Sequence, residues 1–215
     1  IYILYYIVIY NIMNSYSQLN QDNIVLNFLN NKRDGFFVDI GANDGKDLSN
    51  TYLLEKDYNW SGICVEPLLK EFNECKELRK KSICKNICIY DKNGEIEFSS
   101  IKGEYNMYSG ISKDINHHKN ITKNYGKNII LKCITFTKLL DDCKAPNLMD
   151  FLSLDTEGSE LKILQSLNHD KYKFRYITLE HNNIEPNRLL IKDLLESKGY
   201  LFNGENHWDD TYILI

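Results

Sequence analysis

The 215-residue sequence predicts a doubly wound α/β fold, with helices on both faces of a mostly parallel sheet and an antiparallel last strand. Short apolar segments alternate with amphipathic segments of helical period, which is typical of βαβ units. Four of the apolar segments end on a carboxylate: Asp39, Glu66, Asp155 and Glu180. Because parallel strands share one carboxyl edge, these four side chains are expected to converge on one crevice.

Strands are predicted where short β-branched or aromatic runs lie between turn residues. They cover residues 36–40, 63–65, 83–90, 96–99, 129–134, 151–155, 176–180 and 212–215. The turn signal Asp91-Lys92-Asn93-Gly94 predicts that residues 83–90 and 96–99 pair as a hairpin.

Helices are predicted where apolar residues recur at a spacing of three to four. They cover residues 21–30, a segment starting near 47 or 49, a segment from just after 67 to about 79, and residues 136–143, 160–167 and 189–199. Asp22 is a candidate cap of the first helix, and Gly199 ends the last one. We expect the third helix to face inward through Leu68, Leu69, Phe72 and Leu78.

Two segments lack such patterns. Residues 103–126 are polar and irregular and contain His117-His118, so we interpret them as an active-site lid or an insertion. Residues 1–13 are almost wholly apolar but too short to span a bilayer, so we treat them as an N-terminal extension of doubtful status. Residues 14–215 are predicted to form a single domain.

The composition is that of an ordinary globular protein, with 43% hydrophobic and 26% charged residues. A net charge of −4 argues against a general nucleic-acid binder, and a membrane association is not expected. The six cysteines form no CxxC pair, so reduced thiols in a cytoplasmic setting are the expectation.

The segment Asp39-Ile40-Gly41-Ala42-Asn43-Asp44-Gly45 carries the clearest signal for a ligand. It lacks the GxGxxG and phosphate-loop spacings, and no basic residue lies between Phe36 and Gly45 to bind a pyrophosphate. Glu66 follows Gly45 by 21 residues, near the offset at which a carboxylate reaches a ribose. This pattern favours S-adenosylmethionine, a ligand without phosphates. In the alternative interpretation, the two glycines only make a tight turn and the strand-end acids only cap helices.

These residues, with four further segments, resemble the FkbM family of S-adenosylmethionine-dependent methyltransferases over residues 16–215. The further segments are Trp60-Ser61-Gly62-x3-Glu66-Pro67, Leu152-Ser153-Leu154-Asp155-x-Glu157-Gly158-x-Glu160 and Glu180-His181-Asn182, and Ser17-Gln18-x2-Gln21-Asp22 precedes the first helix. The resemblance implies a class I, Rossmann-like methyltransferase fold and O-methylation of a sugar, glycan or polyketide-like hydroxyl. It also implies cofactor contacts from Asp39, Gly41, Asn43, Gly45, Glu66, Asn86 and Asp155.

Methyl transfer to oxygen benefits from a base that removes the hydroxyl proton. His181 is the first candidate because its ordinary pKa suits neutral pH, and Glu180 could orient it. Asp155 and Glu157 are alternatives. Asp155, Glu157, Glu180 and His181 could instead form a site for Mg²⁺ or Mn²⁺, and each of these residues could be purely structural. The other functional hypotheses are a non-catalytic scaffold with this fold and a short NAD-dependent oxidoreductase, against which the missing GxGxxG weighs.

Overall fold

The computed structural model describes residues 15–115 and 119–215, so the predictions for residues 1–13 and for His117-His118 lie outside the described residues. The elements in chain order are α1 (Gln21–Phe28), β1 (Phe36–Ile40), α2 (Tyr52–Tyr58), β2 (Ser61–Val65), α3 (Leu69–Leu78), β3 (Ile83–Lys85), β4 (Cys88–Tyr90), β5 (Gly94–Ser100), a 3₁₀ helix (Gly103–Tyr108), β6 (Gly110–Ile111), α4 (Lys119–Tyr125), β7 (Lys127–Thr135), α5 (Phe136–Asp142), β8 (Leu148–Leu154), α6 (Glu160–Gln165), β9 (Lys173–Glu180), α7 (Glu185–Ser197), β10 (Tyr200–Asn206) and β11 (Asp209–Leu214).

The main sheet has seven strands in the order β3-β2-β1-β8-β9-β11-β10. Neighbouring strands from β3 to β9 are parallel, and β11 is antiparallel to both of its neighbours. The predicted fold class is therefore confirmed, including the antiparallel last strand. The strand β10 was not predicted, because it is an edge strand in which polar residues and Gly204 interrupt the usual apolar alternation.

The chain leaves β1 in one direction toward β2 and β3, and β8 and β9 lie on the other side. This reversal makes the β1–β8 boundary the topological switch point, where open α/β sheets bind ligands. Along β1, Val38 and Ile40 enter the apolar core on one face of the sheet, and Phe37 enters the core on the other. Both faces are thus covered, as a parallel sheet requires.

A second sheet of four strands has the order β4-β7-β5-β6. The predicted strand over residues 83–90 is wrong as a single element, because β3 joins the main sheet and β4 joins the second. Asn86 marks the break, where its Nδ2 donates to the Glu66 and Pro67 carbonyls at 3.0 and 2.9 Å. The predicted hairpin is also wrong, since both β4 and β5 pair with β7.

The described residues between 103 and 126 are more regular than the sequence predicts. They contain the 3₁₀ helix, β6 and α4, and Tyr105 stacks on Tyr108 and Tyr125 with ring centroids 6.3 and 5.7 Å apart. These ring contacts join the 3₁₀ helix to α4. Contacts of this kind produce no helical or strand periodicity in the sequence, so the pattern did not predict them.

The predicted inward face of α3 is wrong at Leu69 and Leu78, which are 64% and 43% exposed. Glu71 and Cys75 are buried instead, and Arg79 follows them at the helix end, 1% exposed. The burial of Glu71, Cys75 and Arg79 therefore determines which face of this helix points inward. None of the helices in residues 15–115 and 119–215 is both long and apolar enough to cross a membrane.

Candidate active site

A cavity of about 360 Å³ opens at the carboxyl ends of β1, β2, β8 and β9. Its volume suits a ligand of cofactor size. Within the described part of the chain, no Lys, Arg or His lines it. The carboxylates in its lining are Asp39, Asp47, Glu66, Asp155, Glu157, Glu180 and Asp209. The strand-end acids thus converge at the switch point, and the site is strongly acidic.

Residues 41–45, which we call the glycine loop, follow β1 into the cavity. Gly41 has a φ of 97°, and a Cβ there would lie 1.8 Å from the Asp155 carbonyl oxygen. The Gly41 and Ala42 amides both donate to the Val65 carbonyl, at 3.1 and 3.0 Å. Gly41 is therefore required both by its backbone conformation and by the close approach of the β8 loop.

Gly45 shapes the glycine loop from below and does not line the cavity. Its φ is 83°, and a Cβ there would lie 2.8 Å from the Cys75 Sγ. Arg79 Nη1 donates to the Gly45 carbonyl at 2.9 Å, and Nε of the same guanidinium pairs with Glu55 at 2.9 Å. The contact predicted between Gly45 and a cofactor becomes, in the structure, a contact with α3.

Glu66 lines the cavity beside the glycine loop and is 7% exposed. Its two carboxylate oxygens accept from the Asn43 amide at 3.1 Å and from the Leu68 amide at 2.8 Å. Burial raises the pKa of Glu66 to about 7 although both hydrogen bonds oppose it. Each oxygen retains a lone pair that can accept from a ligand hydroxyl.

Asp39 lies deeper, where its Oδ2 accepts from the Thr51 hydroxyl at 2.6 Å. Burial raises the pKa of Asp39, and the positive charge of Arg79 partly offsets this effect. The side chain predicted to lie by an adenine, Asn86, is exposed and absent from the lining. Ile87 and Ile89 line that wall instead and present an apolar surface suited to a flat ring.

Asp155, Glu157 and Glu180, which we call the acidic trio, meet in the cavity at the ends of β8 and β9. Their carboxylate oxygens lie within 4.8 Å of one another. Asp155 is exposed, but toward the cavity that the protein surrounds. Desolvation by this surrounding protein, followed by repulsion from Asp209 and Glu160, raises the pKa of Asp155 to about 7. Burial and repulsion from Asp155 also raise the pKa values of Glu157 and Glu180. At neutral pH the trio therefore retains protons.

Glu160 holds the loop that carries the trio. Its Oε1 accepts from the Thr156 amide at 2.9 Å, the Thr156 hydroxyl at 2.8 Å and the Gly158 amide at 3.2 Å. Gly158 has a φ of 118°, and a Cβ there would lie 2.4 Å from the Asp114 carbonyl oxygen. The Asp-x-Glu-Gly-x-Glu pattern thus combines cavity carboxylates with a buried carboxylate that fixes their loop.

His181 does not line the cavity, although its neighbours Glu180 and Asn182 do. Its Nδ1 accepts from the Asn183 amide at 3.0 Å, and its buried Nε2 lies 3.7 Å from Asp210. Burial lowers the pKa of His181, which keeps the ring neutral at pH 7. This geometry removes the support for His181 as the base and gives it a structural place behind the strand end.

Several lining residues carried no sequence signal. Asp209 reaches the cavity from the start of β11, and its Oδ2 accepts from Gln21 Nε2 at 2.7 Å. The 3₁₀ helix covers another side, where Asn106 Nδ2 approaches Asn43 Oδ1 at 3.4 Å. Only the pairing of β11 with β9 brings Asp209 beside Glu180, so no local pattern could have identified it.

Comparisons with known proteins agree with this architecture. The family described as Methyltransferase FkbM domain matches residues 39–202. Methyltransferase FkbM from Methylobacillus flagellatus KT has a similar structure, with a TM-score of 0.50 and 12% identity over 83% of this chain and 43% of that one. The precorrin-6y C5,15-methyltransferase from Geobacter metallireducens GS-15 gives a TM-score of 0.48 and 13% identity over 89% of this chain and 85% of that one. The comparison with curated proteins found no match.

The sheet order, the switch-point cavity and its strand-end acids define a class I methyltransferase with a Rossmann-like fold. The chain belongs to the FkbM methyltransferase family, whose domain matches most of its length. It spans less than half of the Methylobacillus protein of that family. Membership implies the use of S-adenosylmethionine, and the lining fits this cofactor, since Glu66 can accept from a ribose and the Ile87–Ile89 wall can contact an adenine.

Proposed function

We propose that this protein transfers a methyl group from S-adenosylmethionine to a hydroxyl of an uncharged sugar, glycan or polyketide-like small molecule. The bound cofactor would supply an electrophilic methyl group. Glu66 would hold its ribose, and the backbone at Gly41 would hold its amino acid end beside Asp39. The Asn43 amide donates to Glu66 and so connects the glycine loop to the carboxylate that would hold the ribose.

The acidic trio is the observation that carries the proposal. Its oxygens lie within 4.8 Å of one another, and all three residues line the same cavity as Gly41. A carboxylate whose pKa is raised to about 7, as at Asp155, can accept a hydroxyl proton near neutral pH. Holding the hydroxyl against the trio also contributes proximity, which supplies much of the rate of such reactions.

The charge of the cavity supports an uncharged acceptor. Seven carboxylates line it, and the described lining contains no side chain of Lys, Arg or His that could bind a phosphate. Acceptors with phosphate groups, including nucleic acids, would find no cationic side chain in the described lining and would be repelled by the carboxylates that remain ionised. The trio also offers the oxygen ligands that Mg²⁺ prefers, so metal dependence is a hypothesis that the assay must include.

Two measurements test the proposal. Calorimetry should detect S-adenosylmethionine binding to the wild type and at least about tenfold weaker binding to Glu66→Ala, with the exposed Glu77→Ala as control. A radiolabelled methyl-transfer assay should then favour neutral glycans and polyketide-like alcohols over their phosphorylated forms, and Asp155→Asn should lower the rate about 100-fold or more.

The outcomes separate the hypotheses. Absence of cofactor binding by the folded wild type would favour the non-catalytic scaffold. Binding together with preferred turnover of phosphorylated acceptors would reject the uncharged acceptor class. Loss of turnover in EDTA and its recovery with Mg²⁺ would assign the acidic trio to a metal ion, whereas unchanged turnover would leave it as the base.

A further inference from the structure

Three thiols lie together beneath the glycine loop and take no part in the proposed reaction. Cys64 is on β2, Cys75 on α3 and Cys84 on β3, and their Sγ atoms all lie within 4.8 Å of one another. The Sγ atoms of Cys75 and Cys84 are 3.9 Å apart. Cys64 and Cys84 are register partners on adjacent parallel strands, so the sheet itself keeps this cluster together.

The three thiols differ in their surroundings. Cys64 and Cys75 are each 1% exposed, whereas Cys84 is half-buried and accessible to solvent. Hydrogen bonds from the Cys64 and Cys75 thiols, and after them the positive charge of Arg79, lower the pKa of Cys84. Reactive cysteines occupy such partly exposed, electropositive sites. The nearby guanidinium also disfavours a metal cation among the sulfurs.

We propose that Cys84 is an oxidation site for hydroperoxides and that Cys75 converts the product into a disulfide. The Cys84 thiolate attacks the peroxide, so that an S–O bond forms, the O–O bond breaks and one alcohol or water molecule leaves after taking a proton. The Cys75 sulfur then attacks the Cys84 sulfenic acid. The S–S bond forms, the S–O bond breaks, and the hydroxide leaves as water with the Cys75 proton. A dithiol supplies the two electrons for reversal.

Disulfide formation would act on the glycine loop. The two sulfurs must approach from 3.9 Å to about 2.05 Å, so Cys75 moves toward β3. Cys75 is the side chain packed against Gly45, and Arg79, one helical turn further, donates to the Gly45 carbonyl. A shift of this part of α3 therefore removes support from residues 41–45, of which Gly41, Ala42 and Asn43 line the cavity.

The test uses the full-length reduced protein and equimolar hydrogen peroxide. After alkylation of the remaining thiols, peptide mapping should find a Cys75–Cys84 disulfide that dithiothreitol reverses. The buried Cys88 and Cys133, also register partners on parallel strands, serve as an internal control and should stay reduced. Hydrogen exchange at residues 41–45 should become about tenfold faster in the oxidised protein, a readout that does not depend on cofactor binding.

Two variants sharpen the result. Cys84→Ser should abolish the disulfide, and Cys143→Ser, at a half-buried thiol outside the cluster, should leave it unchanged. A different disulfide, no disulfide, a bound metal ion that protects the thiols, or unchanged exchange at residues 41–45 would each overturn the proposal.

Discussion

At the scale of single residues, Gly41 and Glu66 depend on different physical terms. Gly41 is constrained by space, because the Asp155 carbonyl oxygen occupies the volume that a Cβ would need. Glu66 is constrained by electrostatics, since it is buried yet hydrogen-bonded by two backbone amides. Both residues belong to the expected cofactor contacts, and each leads to a separate prediction.

The substitution Gly41→Ala should weaken S-adenosylmethionine binding by about 100-fold or more, because the loop must move by an ångström-scale distance to relieve the 1.8 Å contact. Calorimetry on the folded variant measures this. Gly199→Ala is the matched control: its φ of 86° imposes a similar backbone cost, but a Cβ there meets no atom within 4 Å. Equal binding by the two variants would refute the steric argument.

The affinity for S-adenosylmethionine should rise with pH up to about 7 and then level off. Burial raises the pKa of Glu66 from 4.5 to about 7 in the free protein, so the carboxyl group is protonated below pH 7. A ribose hydroxyl donates to the ionised carboxylate. Binding below pH 7 must therefore release the Glu66 proton. The affinity should change by up to about tenfold per pH unit there. Calorimetry from about pH 5.5 to 8.5 measures the profile. Glu66→Gln should flatten it, and an unchanged slope in that variant would assign the proton to another group.

At the scale of elements, the C-terminal end of α3 connects the glycine loop to α2. Arg79 is buried and donates to the Gly45 carbonyl, to Glu55 on α2 and to the Thr51 hydroxyl at 2.7 Å. Thr51 in turn donates to Asp39 in the cavity. A single buried guanidinium thus relates the position of α3 to that of β1 and the glycine loop.

Replacing Arg79 with Met should lower the free energy of unfolding by about 3–5 kcal/mol, because it leaves Glu55 buried without its ionic partner. Urea denaturation measures this change. Arg175→Met is the control, since Arg175 is 50% exposed in its pair with Asp150 and should cost about 1 kcal/mol or less. A double variant Arg79→Met/Glu55→Met should recover part of the loss, and a fully additive double variant would argue against the coupling of these two residues.

At the scale of the whole molecule, distant parts of the sequence form the cavity. Gln21 on α1, the 3₁₀ helix of the second sheet and Trp208 before β11 all line it, together with the four strand ends. A ligand that fills this cavity touches most of the fold and should stabilise it globally.

S-adenosylhomocysteine at about 100 times its Kd should add about 2.7 kcal/mol to the free energy of unfolding. For a chain of this size that corresponds to a rise in Tm of about 5–11 °C in a thermal scan. Glu66→Ala should show a much smaller rise at the same ligand concentration. A wild-type protein whose Tm does not respond would contradict the assignment of this cavity to the cofactor.

Much of this architecture was predictable from local patterns. The buried strands 36–40 and 151–155 are short apolar runs that end on acids, and strands with this pattern form parallel sheets wherever helices alternate with them. The convergence of Asp39, Glu66, Asp155 and Glu180 followed from that topology alone, because parallel strands share one carboxyl edge. The class of fold and the cavity's position thus followed from periodicity and strand-end chemistry, whereas the family was indicated by the resemblance of its segments to the FkbM family.

Tertiary structure decided what those patterns do not encode. It separated β3 from β4, turned His181 away from the cavity and brought Asp209 into it through the β9–β11 pairing. It also buried Arg79, Cys64 and Cys75 under the glycine loop and brought the half-buried Cys84 next to these two thiols. The physical reason is that sequence periodicity records which face of an element is buried, whereas the direction of one side chain depends on neighbours that are distant in the chain.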